Sequence, residues 1–247
     1  MNEVYDITAL GQLTHLRRLG LNNGARHMDM RPLAGLYQLD TLEIFNLELE
    51  PTMLALSSLT QLRTLTVESM HEIYRIHPPI WRLDTLTSLT SLCLRGRFYG
   101  VSDLRIFSSI INLESLTLEL FPWVTSLDGL AECKQLRFLE LSNMNFEEAV
   151  YGISCPFPQN LQELRLISVP MVDVVPITKL YRLNTLYLHD ITALVDIDPL
   201  ATMSSLCKLT LSSLMYLDDI QSMAMFKARD DTKLILIDME HIHPDLC

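Results

Sequence analysis

LVDIDPLATMSSLCKLTLSSL, residues Leu194 to Leu214, places leucine, isoleucine or methionine at 194, 197, 200, 203, 206, 209 and 211. Steps of three give way to a step of two. An amphipathic helix mixes threes and fours, and a strand steps by twos throughout. A segment that changes period inside so short a stretch is neither alone. It reads as a tight helical turn running into a short strand.

The phrase L-x-x-L-x-L/I/V recurs as LRRLGL (16–21), LDTLEI (39–44), LRTLTV (62–67), LTSLCL (89–94) and LESLTL (113–118). It continues as LRFLEL (136–141), LQELRL (161–166), LNTLYL (183–188) and LCKLTL (206–211), with a degraded copy, DTKLILI, at 231–237. The second leucines are Leu19, Leu42, Leu65, Leu92, Leu116, Leu139, Leu164, Leu186, Leu209 and Leu234, spaced by 22 (Leu164 to Leu186) to 27 (Leu65 to Leu92) residues. A period this regular means a solenoid, and a unit of this length with this phrase is a leucine-rich repeat. The L-x-L step makes a strand whose side chains alternate between core and solvent. The steps of three suit a 3₁₀-like turn on the opposite side. One coil cannot bury its leucines by itself, so coils stack and their strands form a parallel sheet. Ten strands at the usual spacing give an inner face roughly 43 Å long.

Segments such as VDIDPLATMSSLCKLTL, MDMRPLAGLYQLDTLEI and VTSLDGLAECKQLRFLEL resemble the short repeats of the SDS22-like and internalin-like class of leucine-rich-repeat proteins. The resemblance implies an α/β repeat fold, a curved solenoid of about ten repeats. Its parallel sheet would line the concave face, with short helical or 3₁₀ turns on the convex side. It also implies a protein partner, a regulated enzyme such as a phosphatase being one example. The chain departs from the class at one position. Three residues after the last leucine the family carries asparagine, and here stand Gly24, Leu47, Met70, Arg97, Phe121, Met144, Val169, Ile191, Leu214 and Met239. Apolar packing replaces an asparagine ladder, and less regular turns after the strands are expected.

The repeat covers 1–247 as one domain, with irregular segments expected at 71–83, 147–160 and 216–231. The first contains HEIYRIHPPIWRL and the second EEAVYGISCPFPQN. Extra residues in a solenoid go to loops on one face. Tyr74 and Trp81 in the first loop either make a contact site or fold back on the flank.

Charge and composition narrow the function. A formal charge of −11 without a basic patch argues against nucleic acid and against anionic membrane surfaces. MNEVYDITALG lacks the basic-then-apolar order of a secretory signal, and no apolar run reaches the length of a membrane span. The five cysteines include no C-x-x-C pair, which predicts free thiols in a reducing, cytoplasmic setting. No phosphate-binding loop, G-x-G-x-x-G, H-E-x-x-H or G-x-S-x-G motif occurs, so no catalytic residue and no cofactor are expected. His241, His243 and Asp245 are the best metal candidates, but further ligands are missing. Cys247 has no base positioned to make it a nucleophile.

What remains is a surface. The outward strand positions of the first three repeats after Phe45 are mostly serine and threonine. The next three gather Phe138, Glu140, Arg165, Ile167, Tyr187 and His189. Aromatics and arginine dominate binding energy at interfaces, which makes these six the candidate partner-binding residues. The competing reading is ordinary cross-strand pairing, with Glu140 and Arg165 as a surface bridge. The expected function is a non-catalytic interaction module or adaptor; the alternative is a constitutive subunit of a large assembly. YDITALGQLTHL reads as a repeat already in progress. The edge around Tyr5, Ile7, Leu10 and Leu13 is therefore expected to be covered by another chain or by self-association.

Overall fold

The computed structural model describes residues 6–22, 29–46, 56–69, 83–98, 101, 104–124, 127–144, 157–217 and 220–239. Each copy of the L-x-L step is a five-residue strand: β1 (Arg18–Asn22), β2 (Thr41–Phe45), β3 (Thr64–Glu68), β4 (Ser91–Arg95) and β5 (Ser115–Glu119). The series continues with β6 (Phe138–Ser142), β7 (Glu163–Ile167), β8 (Thr185–His189), β9 (Lys208–Ser212) and β10 (Lys233–Ile237). All ten lie parallel in one sheet, in chain order. The fold is the leucine-rich-repeat solenoid.

Register follows the phrase at every pairing. Leu92 pairs with Leu116, Leu116 with Leu139, Leu139 with Leu164 and Leu164 with Leu186. These five leucines stack as one column with at most 1% of each exposed. Burial on this scale contributes roughly 1.5–3 kcal/mol per leucine, the same increment at every coil. At the two ends of the sheet the leucines are only partly buried: Leu19 and Leu21 in β1, Leu234 and Leu236 in β10. Ile7 is buried, Leu10 partly so, and Leu13 is 50% exposed. Tyr5 lies outside the described residues.

The steps of three have a direct cause in hydrogen bonding. In the eighth coil the N–H groups of Leu194, Leu200, Met203 and Leu206 donate to the carbonyls of Ile191, Ile197, Leu200 and Met203, three residues back. An i to i−3 bond brings every third side chain to the same side, and all of these side chains are buried. The same arc contains 3₁₀ turns at Arg31–Gly35, Leu104–Ser109, Asp128–Glu132 and Asp198–Thr202, and short α-helices at Val175–Thr178 and Met223–Lys227. Gly129 is required where two such turns meet, since a Cβ there would lie 2.0 Å from the backbone nitrogen of Arg105. Cys133 takes a leucine's place in this arc. Its thiol donates to the Phe107 carbonyl at 3.6 Å, and burial pushes its pKa up to about 11.

Among the described residues, most turns after the strands open on the same backbone feature. The first residue past the strand is left-handed at Asn46, Gly96, Leu120, Asn143, Ser168, Asp190, Ser213 and Asp238. At the first seven of these the N–H donates to the last strand carbonyl of the next coil, for example Asn46 to Glu68, Asn143 to Ile167 and Asp190 to Ser212, at 2.8 to 3.0 Å. This backbone ladder extends each pairing by one residue and does the work of an asparagine ladder. Below it the side chains pack as the sequence suggests. Phe121, Met144, Val169, Ile191, Leu214 and Met239 are buried. At the fourth coil the pattern slips by one: Arg97 is exposed and Phe98 fills the column, stacked on Phe121 with ring centroids 4.6 Å apart. Between the last coils a sulfur takes the acceptor role, with the Leu214 N–H 3.3 Å from Met239 Sδ.

Side-chain ties to the backbone occur instead on the flank preceding the strands. Asn112 donates to the Thr87 carbonyl at 2.9 Å, Asn160 to Lys134 at 2.7 Å, and Arg229 to Met203 and Ser204 at 3.0 and 2.8 Å. Of the segments expected to be irregular, residues 71–82, 147–156 and 218–219 lie outside the described residues, as do His241, His243, Asp245 and Cys247. Within 216–231, Ile220, Met223 and Phe226 are buried beneath the last strand pair. Among the described residues no helix is long and apolar enough to cross a membrane.

Candidate functional site

Alternation along each strand turns one set of side chains to the core and the other to the open face of the sheet. All six candidate residues lie on that open face, on three consecutive strands. Pairing sets Phe138 beside Glu163, Glu140 beside Arg165, Arg165 beside Tyr187, and Ile167 beside His189.

Arg165 is the hub. Its guanidinium carbon sits 5.4 Å from the Phe138 ring centroid, a cation–π approach. Its Nε and Nη2 both lie 2.7 Å from Glu163 Oε1, and its Nη1 lies 3.6 Å from Glu140 Oε2. Glu140 is shared in turn. Arg95 on β4 reaches across β5 to bring Nη2 within 3.5 Å of Glu140 Oε1, and its Nε lies 3.6 Å from Glu119 Oε2. The Glu140 side chain, only 12% exposed, is thus held between two guanidinium groups. Burial works against the Arg95 charge. Nearby Cys93, Glu140, Glu119 and Glu68 outweigh it and raise the Arg95 pKa above its ordinary value.

The result is one ionic chain, Glu119–Arg95–Glu140–Arg165–Glu163, running over β4 to β7. Glu140 and Arg165 were both visible as candidates in the sequence; Arg95, Glu119 and Glu163 were missed. Their outward positions are legible in the register, but an arginine's reach across two strand spacings is not. The sheet's small residues are also less open than an outward position suggests. Thr117, on the strand that the Arg95–Glu140 pair spans, is 7% exposed, and Thr210, Ser142 and Ser212 are similarly buried.

Toward the last strands the character changes. Tyr187 and His189 stack on one strand with ring centroids 6.1 Å apart, and His189 Nδ1 lies 2.9 Å from Ser212 Oγ. Beside them opens a groove of about 380 Å³ lined by Glu163, Arg165, Thr185, Tyr187, Lys208, Thr210, Ile235 and Ile237. It joins two candidates, Arg165 and Tyr187, to four residues of β9 and β10 that were not among them. Among the described residues no group of three His, Cys, Asp or Glu side chains is placed to hold a metal ion.

No family model matches the chain, and no curated protein matches its sequence. Solved structures do match in fold. An internalin of Listeria monocytogenes is 24% identical with a TM-score of 0.64, over 96% of this chain and 72% of the internalin. Internalin C2 of the same organism is 19% identical with a TM-score of 0.52, over 92% of this chain and 82% of its own. A chain in a TLR13–ssRNA13 complex is 20% identical with a TM-score of 0.63; the match covers 91% of this chain and 36% of that one. At these identities the likeness is one of fold.

Proposed function

We propose that this protein is a non-catalytic interaction module that grips a protein partner on the open face of strands β6 to β10. The groove beside Tyr187 carries this reading. It is apolar at Tyr187, Ile235 and Ile237, bordered by charge, and continuous with the Arg165 hub. Interface anchors combine these features: a half-buried aromatic, an arginine with a flat face, and exposed aliphatic surface. Phe138, Glu140, Ile167 and His189 then form a polar and apolar rim beside it. A scaffold whose outward side chains alone vary supports such a role, because they can change without disturbing the core. The three described cysteines, Cys93, Cys133 and Cys207, are free thiols, which supports a reducing, cytoplasmic setting. Half-exposed Leu13 beside partly buried Leu10 and Leu19 supports a second covering contact at the first coil.

The test is affinity purification of the full chain from its native source, with and without the double substitution Arg165→Ala and Tyr187→Ala. Partners identified by mass spectrometry should be lost from the variant while its melting temperature stays close to the parent's. Retention of every partner would move the binding site off this face.

A further inference from the structure

Resting on that reading, the β9–β10 end of the face carries a feature that names a partner chemistry. Lys208 and Lys233 stand directly opposite each other in the parallel register. Both are exposed, and among the described residues neither has an ion-pair partner. Like charges placed opposite one another in a sheet repel and destabilise it. The two arginines of the neighbouring ionic chain, Arg95 and Arg165, are each set between carboxylates. This protein, at a formal −11, has acidic residues in excess, yet none of the described ones neutralises the lysine pair.

The apolar side of the groove lies further along the same strands. Ile235 and Ile237 follow Lys233 on β10, and Ile237 is 42% exposed. Thr210 follows Lys208 on β9, and Tyr187 lies across from it on β8. Alternate residues of a strand are roughly 7 Å apart, so the lysine row lies roughly 7–13 Å from the two isoleucines. An extended peptide spans that distance in about two to four residues.

We propose that this groove docks an extended acidic segment of a partner protein. Its aspartate or glutamate carboxylates meet Lys208 and Lys233, and an aliphatic or aromatic side chain two to four residues away packs on Tyr187, Ile235 and Ile237. The protein's overall negative charge does not prevent this, since exposed charges more than about 8–10 Å distant are largely screened at physiological salt. The apolar contact is what separates such a segment from acidic chains that lack the anchor.

The test uses the full chain and two short dye-labelled peptides, one with a Glu-Glu-Ser-Leu-Ile core and one with Gln-Gln-Ser-Leu-Ile, read by fluorescence anisotropy. The glutamate peptide should bind at least tenfold more tightly than the glutamine peptide and weaken as salt rises. Substituting Lys208→Ala and Lys233→Ala together should erase that difference. The variant should melt no lower than the parent, because it relieves a repulsion. Equal binding of the two peptides, binding of neither, or an oligo-uridine RNA competing the glutamate peptide away would overturn the proposal. The partner purification separates this from the broader reading. A partner lost on substituting Arg165 and Tyr187 but kept by the lysine variant leaves the interaction face standing and removes the acidic segment. A partner lost from both supports both.

Discussion

Leu164 and Arg165 are neighbours on β7, and they belong to two different surfaces. Leu164 faces a column of leucines and is fully buried; Arg165 faces solvent among a phenylalanine, a tyrosine and two glutamates. The inward surface repeats the same residue type from strand to strand. The outward one changes at nearly every strand, from the threonines of β3 through the ionic chain of β4 to β7 to the lysines of β9 and β10 and the isoleucines of β10. The contrast teaches where each property of the molecule is stored. Stability lies in the repeated half, because each coil buries its leucines only against the next. In the function proposed above, recognition lies in the half that the repeat leaves unspecified.

The sharpest way to break that division is to compare neighbours. Leu164→Ala should lower unfolding free energy by about 2–5 kcal/mol, through lost burial and the cavity left behind. Arg165→Ala should cost no more than about 1 kcal/mol, the range of exposed ion pairs. Equal losses in urea melts would put stability on both faces.

Next comes the inward thiol. Cys133 holds its proton to about 11 in the folded state against an ordinary 9.0, so between these values the folded protein binds more protons than the unfolded chain. The associated stability is fully present below pH 9 and is lost as pH rises through 11. Relative to a Cys133→Val variant, the parent should therefore lose up to about 3 kcal/mol across that window. A difference that stays constant with pH would show that the thiol is not held this way.

Glu140 tests the outward side. Replacing it with glutamine leaves Arg95 and Arg165 facing each other without the shared carboxylate, at a cost of about 1 kcal/mol. That cost should shrink in high salt, which screens outward charges far more than it touches the leucine column. A salt-independent loss would mean Glu140 acts as part of the core.

The smallest effect belongs to the boundary between the two faces. Leu120 is left-handed at φ 61°, a conformation costing a branched or bulky L-residue roughly 1–2 kcal/mol that asparagine tolerates better. Leu120→Asn should raise the melting temperature slightly, by about 0.5 kcal/mol of stability. A drop would show that the Leu120 side chain contributes more by packing than its backbone conformation costs.

Much of this was legible in the sequence, and the reasons differ by feature. The strands, their register and the buried column follow from the leucine phrase, because a period of two fixes which side chains turn inward. The arc of threes was legible for a similar reason, since i to i−3 bonding repeats every third residue. The backbone feature that opens the turns is not legible at the asparagine position. The informative position lies one residue earlier, where Asn46, Gly96, Asn143, Asp190 and Asp238 are the types that accept left-handed backbone. Leu120 gives no such sign. In the candidate site, Arg165 and Tyr187 could be picked out by residue type, but the Arg95 bridge depends on side-chain reach. Lys208 and Lys233 occupy the same outward position of the phrase on β9 and β10. Their importance emerges only beside the groove and without an acidic neighbour.

The strand ends described above make each coil an exchangeable part. On entry, one carbonyl accepts two N–H groups from the next coil, as Arg137 does from Gln162 and Glu163, and Gln162 from Asn184 and Thr185. On exit, a left-handed residue closes the pairing. Both fastenings are main-chain, so they read neither the outward side chains nor the length of chain that loops away between them. A gene encoding this protein can therefore gain, lose or shuffle whole coils at the L-x-L joint and still yield a continuous sheet. Segments of unequal length are tolerated for the same reason: across the 27-residue spacing Leu65 still pairs with Leu92 in register.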